Sequence, residues 1–579
     1  MTTAARSAWI AAAGWAMAGV IAFGPWEFRE GIGFLHLQLS LPELLAAFAV
    51  CVAGVAMLLN LPNVLGQIRQ NRMLYMALCA WALVHLASVF STPADRGLVL
   101  KFALRVTGGV VLAAVACTFA PQPRFRQAFS LGILTSLGLI SLLGALERIV
   151  GRDFERFLKL FRDEPTWMLG EQRLSTVFYH ANTCAVFFEL TAPFLIVAAA
   201  SDRLSKPLRG LAVAGLTGVA VLLSLTYSRA GLISAVSGAL VLLVASQLGR
   251  KRPILTALSF FYIATVVGAY VTNPDMRARV GLTERSYRAE YTFEAPCAGY
   301  GGQTVAVPLE VHNRGEWALS NRQAPGLLMH IWMTPEGKRL AIKWNYELLP
   351  DMPQRSRVHL KVPVRLPRKP GVYVLAVDIM RDEVLRISEL GNSIAWLRCT
   401  SAPDGTDLAP LLAVGPSRTA PDQADEVISS RHLELERRNY WRAALLLWER
   451  RMLFGWGDDR FRLSYREYVP FEGYDPRARA HSVLAETAAD LGLVGLAVLL
   501  FFVFVVARRG LVVIKRGWLP ENGPGIAAAA GLAGLAVHSQ VDYFLAYTQV
   551  TVILWPMIGL LCGANVAQTS QNQTEKHGV

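Results

Sequence analysis

Several residues in this chain carry side chains that could do chemistry, and they share one physical setting: each stands at the edge of an apolar run. His481 follows a polar loop directly before such a run. A histidine placed there can take a proton from an attacking hydroxyl. Arg229 lies in the tight turn Thr226-Tyr-Ser-Arg-Ala-Gly231, with no acid beside it in sequence. A guanidinium in such a place suits phosphate oxygens through paired hydrogen bonds. Arg438 and Arg442 share one stripe of a helix-forming stretch that leads into Gly455-Trp-Gly457. Arginines able to bind anions and a histidine on the same side of the membrane predict that chemistry happens here, on a lipid-linked substrate held at the membrane surface. His481, Arg229 and Arg438 are the expected catalytic residues.

Expected substrate contacts are Arg173, Asn182, Lys101, Arg105, Arg442, Tyr465, His538 and Asp542. Each has a structural alternative. Lys101 and Arg105, one turn apart inside an apolar run, either serve function or snorkel to headgroups. Asn182 opens a helix, where it can act as a cap without any substrate. Arg229 can be an interfacial anchor, and an arginine face on a helix is commonly just solvated. Tyr465, Tyr468, Phe471 and Tyr474 suit stacking on sugars, or anchoring at the interface. His538, Gln540 and Asp542 offer polar packing or support to the site.

The elements that position these residues are membrane helices. Of 579 residues, 53% are hydrophobic and only 17% charged, where a soluble chain would carry nearer a quarter. Apolar runs predict helices at 8–24, 39–59, 72–91, 99–119, 128–147, 181–200, 210–226, 230–247, 253–272, 484–507, 525–543 and 546–565. The first could be mistaken for a signal peptide, but no small-residue cleavage site follows it. The net charge of +14 would suggest nucleic acid in a soluble protein. Here arginines and lysines gather in alternate short loops, as at Arg203, Lys206 and Arg209 or at Arg508 and Arg509. That asymmetry predicts cytoplasmic termini and puts segments 148–180 and 273–480 outside.

Within 148–180, Phe154, Phe157, Leu158 and Phe161 recur at helical spacing, which predicts a segment in the interface plane. From about residue 285 the period becomes two. Val305, Val307, Leu309 and Val311 alternate with Ala306, Pro308, Glu310 and His312, and Val358 to Leu366 does the same. Short alternating strands separated by turns predict a β-sandwich. Cys297 and Cys399 bracket it; in an oxidising compartment they are expected to form a disulfide, stabilising by about 4–5 kcal/mol in the chain-entropy model. The other five cysteines lie in apolar runs and read as packing residues. Neither Cys-x-x-Cys nor clustered histidines suggest a metal. The expected division is a membrane domain at 1–272, a β-sandwich insertion at 273–400, a linker at 401–428, an outer helix and active-site loop at 429–483, and further membrane helices at 484–579. In the outer helix, Trp441, Leu445, Trp448 and Met452 form an apolar stripe expected to pack on the membrane domain or the lipid surface.

Taken in order, Arg173 with Phe178-Tyr-His-Ala-Asn182, Thr226-Tyr-Ser-Arg229-Ala-Gly, Arg438-x-x-Trp441 with Phe454-Gly-Trp-Gly457, and Ala480-His481 with Leu491-Gly-x-x-Gly495 resemble the O-antigen ligase/polymerase family of bacterial membrane glycosyltransferases. The match covers roughly 170–250 and 435–565. It departs from the family pattern at Ser482, where asparagine is usual, and at Asp490, commonly glutamate. The resemblance implies a mainly α, GT-C-like polytopic membrane fold of about twelve spans with an inserted all-β domain. It also implies a glycan donor joined through diphosphate to undecaprenol, a glycan or lipid acceptor, and no metal or other cofactor. Membrane lipids and other polysaccharide assembly and export proteins are the expected partners. The β-insertion, absent from the usual ligase, favours a polymerase of exopolysaccharide repeats over a ligase. Two rivals are a flippase for lipid-linked glycan, disfavoured because the polar residues lie at the rim and not at mid-membrane, and a surface adhesion protein, for which a dozen spans is more than an anchor needs.

Overall fold

A computed structural model describes every residue except 1–2, 30–31, 35–36, 94, 163–166, 169–170, 249–251, 274–275, 277–286, 317, 321–325, 338–339, 341–344, 382–384, 391, 419, 421–431, 468–477, 519–521 and 564–579. The chain is a polytopic membrane protein with a separate β region inserted in it. The helices are α1 (Thr3–Phe23), α2 (Leu41–Leu59), α3 (Leu61–Gln70), α4 (Arg72–Ser91), α5 (Arg96–Phe119), α6 (Pro123–Val150), α7 (Arg152–Leu158), α8 (Ala181–Ala199), α9 (Lys206–Leu225), α10 (Arg229–Gln247), α11 (Pro253–Thr272), α12 (His432–Arg450), α13 (Val483–Lys515), α14 (Gly523–His538) and α15 (Thr548–Gly563). Among the described residues ten are long and apolar enough to cross a membrane, and α14 and α15 are shorter apolar helices. Proline falls in the first turn of α2, α3, α6, α9, α11 and α14, where its missing N–H costs nothing.

The amphipathic α3 was not expected. Segment 148–180 begins with α7, and Phe161 packs its ring on Trp26, Phe28 and Phe157. Arg162 ties the segment down from a buried position: it donates to Glu147 at 3.0 Å and Glu155 at 2.7 Å, and also bonds Ser175.

The insertion contains β1 (Ala289–Phe293), β2 (Cys297–Tyr300), β3 (Thr304–Asn313), β4 (Gly326–Met333), β5 (Asn345–Leu348), β6 (Arg357–Arg365), β7 (Gly371–Arg381), β8 (Leu385–Arg386) and β9 (Ala395–Ala402). One sheet has the order β6-β3-β1; the other runs β2-β9-β7-β4-β5, with β8 beside β7. The alternation in β3 is real: Val307, Leu309 and Val311 are buried. The strand β4 is buried along its whole length, so it carries no alternation to read. Cys297 and Cys399 face each other across the parallel pair β2 and β9 and are joined as a disulfide.

The helix α13 is broken at Gly492, whose φ is +66°. The turn after α12 fills the break. The amides of Trp456 and Gly457 donate to the carbonyls of Ala489 and Asp490, and those of Leu493 and Val494 donate to Met452 and Leu453, all at 2.7–3.1 Å. Such contact needs bare backbone on both sides. A Cβ on Gly455 would lie 2.3 Å from the Asp490 carbonyl oxygen, and one on Gly492 would lie 2.5 Å from the Leu453 carbonyl. This interlock fixes the turn against the membrane helix that His481 introduces.

Candidate functional site

His481 sits between the loop and α13 with φ +49°, a left-handed conformation that a non-glycine residue holds only when its surroundings impose it. On one side, the buried Ser482 caps α13 by accepting from the Ala485 amide. On the other, the Ala480 amide donates to Glu486 at 2.9 Å, and Arg479 bridges Glu486 (3.0 Å) and Asp459 (2.6 Å). Arg462 adds a second ion pair to Asp459. Burial would raise the Asp459 carboxyl, but Arg479 and Arg462 outweigh it and hold the group below the usual range. For Arg479, burial works against the charge, and Glu486 and Asp459 more than restore it, so this cation is fixed. Every neighbour of His481 on its own chain is thus pinned.

The imidazole faces Asp542, with Nδ1 3.2 Å from Oδ1. Asn182 donates Nδ2 to the other oxygen of Asp542 at 2.9 Å, and the Tyr543 amide donates to Oδ1 at 2.9 Å. Asn182 in turn accepts from Arg173 at 2.8 Å, and Arg173 also donates to the Thr226 carbonyl at 2.8 Å. One hydrogen-bonded line therefore runs Thr226–Arg173–Asn182–Asp542–His481, joining the loop before α8, the first turn of α8, the α14–α15 loop and the start of α13. Burial pushes the Asp542 carboxyl up; the bonds and charge from His481, with His538 and Asn182 beside it, prevail and hold it well below the carboxylate range. An ionised Asp542 fixes Nδ1 as the protonated nitrogen of the ring. That leaves Nε2, on a side chain 31% exposed, as the basic atom.

Arg229 is the exposed first residue of α10, three positions after the Thr226 carbonyl that holds Arg173. The turn places Tyr227 at φ +53°, and Ser228 caps the helix on Gly231. Arg438 belongs to α12, and its side chain lies outside the described residues, as do Tyr468, Phe471 and Tyr474. Arg442 is exposed on the same helix. Tyr465 is completely buried, stacked on Phe461 and edge-on to Tyr440, whose ring lies 5.4 Å from His481. It positions Tyr440 and offers no open face. His538 is buried too, with Nδ1 2.9 Å from Glu189 inside the helix bundle. Lys101 and Arg105 are on α5, away from this line, with Arg105 paired to Glu43 at 3.0 Å. In α12 the buried face is Ala443, Ala444 and Leu447; of the expected stripe, Trp441, Leu445 and, just past the helix, Met452 are exposed, and Trp448 is half-buried.

Sequence reasoning missed Glu486, Arg479 and Asp459, which hold the His481 backbone. It also missed the buried pair His85–Asp458, 2.5 Å apart. The available signal was ionisable residues inside apolar runs, such as His85, Glu189 and Glu486, which a lipid environment penalises unless they are paired. In the β region, ligating atoms of Glu294, Glu310 and His359 lie within 4.8 Å of one another on a solvent-facing surface, with Arg357 pairing Glu310.

Residues 408–500 match the family model described as O-antigen ligase. No curated protein matches the chain. Among solved structures, one similar chain is described as Pseudomonas fluorescens alkylpurine DNA glycosylase AlkC bound to DNA containing an abasic site analog. It is 11% identical and covers 57% of this chain and 97% of that one, but its TM-score of 0.15 carries no argument.

Proposed function

We propose that this chain, whose residues 408–500 match the O-antigen ligase family model, is a glycosyltransferase that extends polyprenyl-diphosphate-linked glycan repeats at the outer face of the bacterial inner membrane. The observation that carries it is the His481–Asp542–Asn182–Arg173 line, an oriented base joined through Arg173 to the turn that ends at exposed Arg229. In this reading Asp542 holds the imidazole, Nε2 of His481 takes the proton from the acceptor hydroxyl, and that oxygen forms the new bond at the anomeric carbon. The bond to the polyprenyl diphosphate breaks as it forms. Arg229 and Arg438 stabilise the charge that collects on the departing diphosphate. Arg173 fixes the turn before Arg229 and, through Asn182, the acid behind His481.

Transfer to a lipid or other non-polymer acceptor, the ligase reading, uses the same residues and is separated by product alone. In cells carrying His481→Ala or Arg229→Ala, the protein should be present in the membrane while polymer is lost and undecaprenyl-linked glycan collects on the outer leaflet. Polymer of normal length in both variants would end this reading, and accumulation on the inner leaflet would point to a flippase.

A further inference from the structure

A trough of about 870 Å³ runs along α5 between α2 and α15. Its walls are apolar, including Val50, Leu104, Leu112, Val552 and Trp555. Gly109 lets the indole of Trp555 lie against α5, since a Cβ there would be 2.1 Å from the ring. At the preceding residue, a Cβ on Gly108 would meet nothing within 4 Å, so the space beside it is open. The helices α2, α5 and α15 all begin at one end of the trough, where Glu43, Lys101, Arg105 and Thr548 line it. Arg105 is compensated by Glu43. Lys101 is exposed and forms no hydrogen bond or ion pair among the described residues.

Two observations distinguish this trough from an ordinary seam between helices. An exposed ammonium one turn above a guanidinium, inside an apolar helix, is costly in lipid and attracts an anionic headgroup. The trough also reaches the helix that follows one loop of the site. Thr548 follows the loop that carries Asp542, and in that loop the Tyr547 ring lies 6.3 Å from His180, next to α8. The chain thus has two groups of cations at the same end of the bundle on different helices: Arg173 and Arg229 around α8 and α10, Lys101 and Arg105 on α5. Transfer between two lipid-anchored glycans needs one such place for each.

We propose that the trough between α2, α5 and α15 holds the hydrocarbon chain of the acceptor, a second polyprenyl-diphosphate-linked glycan, with Lys101 at the level of its phosphates. This rests on the transferase reading above, with the donor diphosphate on Arg229. Gly108→Trp fills the open space at an exposed position, so the change does not burden the core. Reconstituted protein would be given the polyprenyl-linked donor with either a polyprenyl-linked acceptor or the same glycan freed from lipid. The expected result is transfer to the lipid-linked acceptor lowered about tenfold or more and transfer to the free glycan unchanged. An equal loss with both acceptors, or no loss with either, overturns the proposal. If the unaltered protein transfers to neither, the transferase reading fails. The trough is then judged by a photoreactive residue at position 108 and undecaprenyl diphosphate bearing a diazirine in its tail. An adduct that unlabelled undecaprenyl diphosphate suppresses and phosphatidylglycerol does not supports a polyprenyl site. No adduct, or one that phosphatidylglycerol suppresses equally, rejects it.

Discussion

Asp542→Asn keeps the shape of the side chain and removes one charge and one acceptor. Three donors converge on the carboxylate: His481 Nδ1, Asn182 Nδ2 and the Tyr543 amide. An amide can serve only those on its oxygen. If that oxygen stays with His481 and Tyr543, the new NH₂ faces the NH₂ of Asn182. Asn182 must then turn, and its bond from Arg173 is lost. Each such bond contributes about 0.5–1.5 kcal/mol, a loss the fold can absorb. The catalytic loss is larger, because no anion now favours the proton that the ring acquires from the acceptor. Positioned acid–base catalysis contributes about 10²–10⁴-fold, so kcat should fall in that range, equivalent to roughly 2.7–5.4 kcal/mol of barrier. The assay is transfer by reconstituted protein at saturating donor, with donor KM measured in parallel. KM should stay within about threefold, since Asp542 does not reach the diphosphate in this mechanism. His481→Ala combined with Asp542→Asn should be no slower than His481→Ala alone, because the two act as one unit. A kcat within a few-fold of normal, or additive losses in the double variant, would refute the reasoning.

Gly455→Ala should destabilise the protein by about 1–3 kcal/mol or more, because φ is +63° and the new methyl meets the Asp490 carbonyl at 2.3 Å; an unchanged unfolding midpoint in detergent would count against the interlock. For Asp542 and Asp459, folding lowers the carboxyl pKa, so their stabilising contribution is complete above the unfolded value near 3.9 and disappears as pH falls through the folded value. Removing either acid should therefore flatten the acid side of a stability–pH profile, and an unaltered slope would show that these carboxylates are not paired. The Cys297–Cys399 bond closes a separation of 102 residues, a constraint worth about 4–5 kcal/mol in the chain-entropy model. Reduction should change mobility on a gel and lower the urea midpoint of the β region; a Cys399→Ser protein that behaves identically would remove the bond from the account.

The ends of the predicted spans fall within five residues of the helix ends except at α13, which runs on to Lys515 past the predicted 507, because long apolar runs bounded by charge leave little choice of structure. The approach of Arg173, Asn182, Asp542 and His481 was legible only in part. Their types and their shared end of the bundle were visible, but the order of bonding was not. Asn182 and Asp542 are 360 residues apart, and nothing local says which acid a membrane-edge asparagine will meet. The same limit hid His85–Asp458 and Glu189–His538, each half of which looks like a lone polar residue until its partner arrives from hundreds of residues away.

Two further differences have local causes. In α12 the large stripe of Trp441 and Leu445 was expected to meet either the membrane domain or the lipid surface, and Ala443 and Ala444 are the residues buried in the protein. Water punishes exposed tryptophan, whereas lipid does not, so near a membrane apolar size stops predicting what faces protein; small residues that let backbones approach predict it better. The glycines make the same point from the other direction. Gly455 read as half of a turn and Gly492 fell inside the expected span 484–507, but each is the space required by the backbone opposite the other. The broken helix exposes the carbonyls of Ala489 and Asp490, and the turn amides at 456 and 457 satisfy them. The turn and the break are therefore one device. It secures the start of α13, and with it the position from which His481 reaches Asp542.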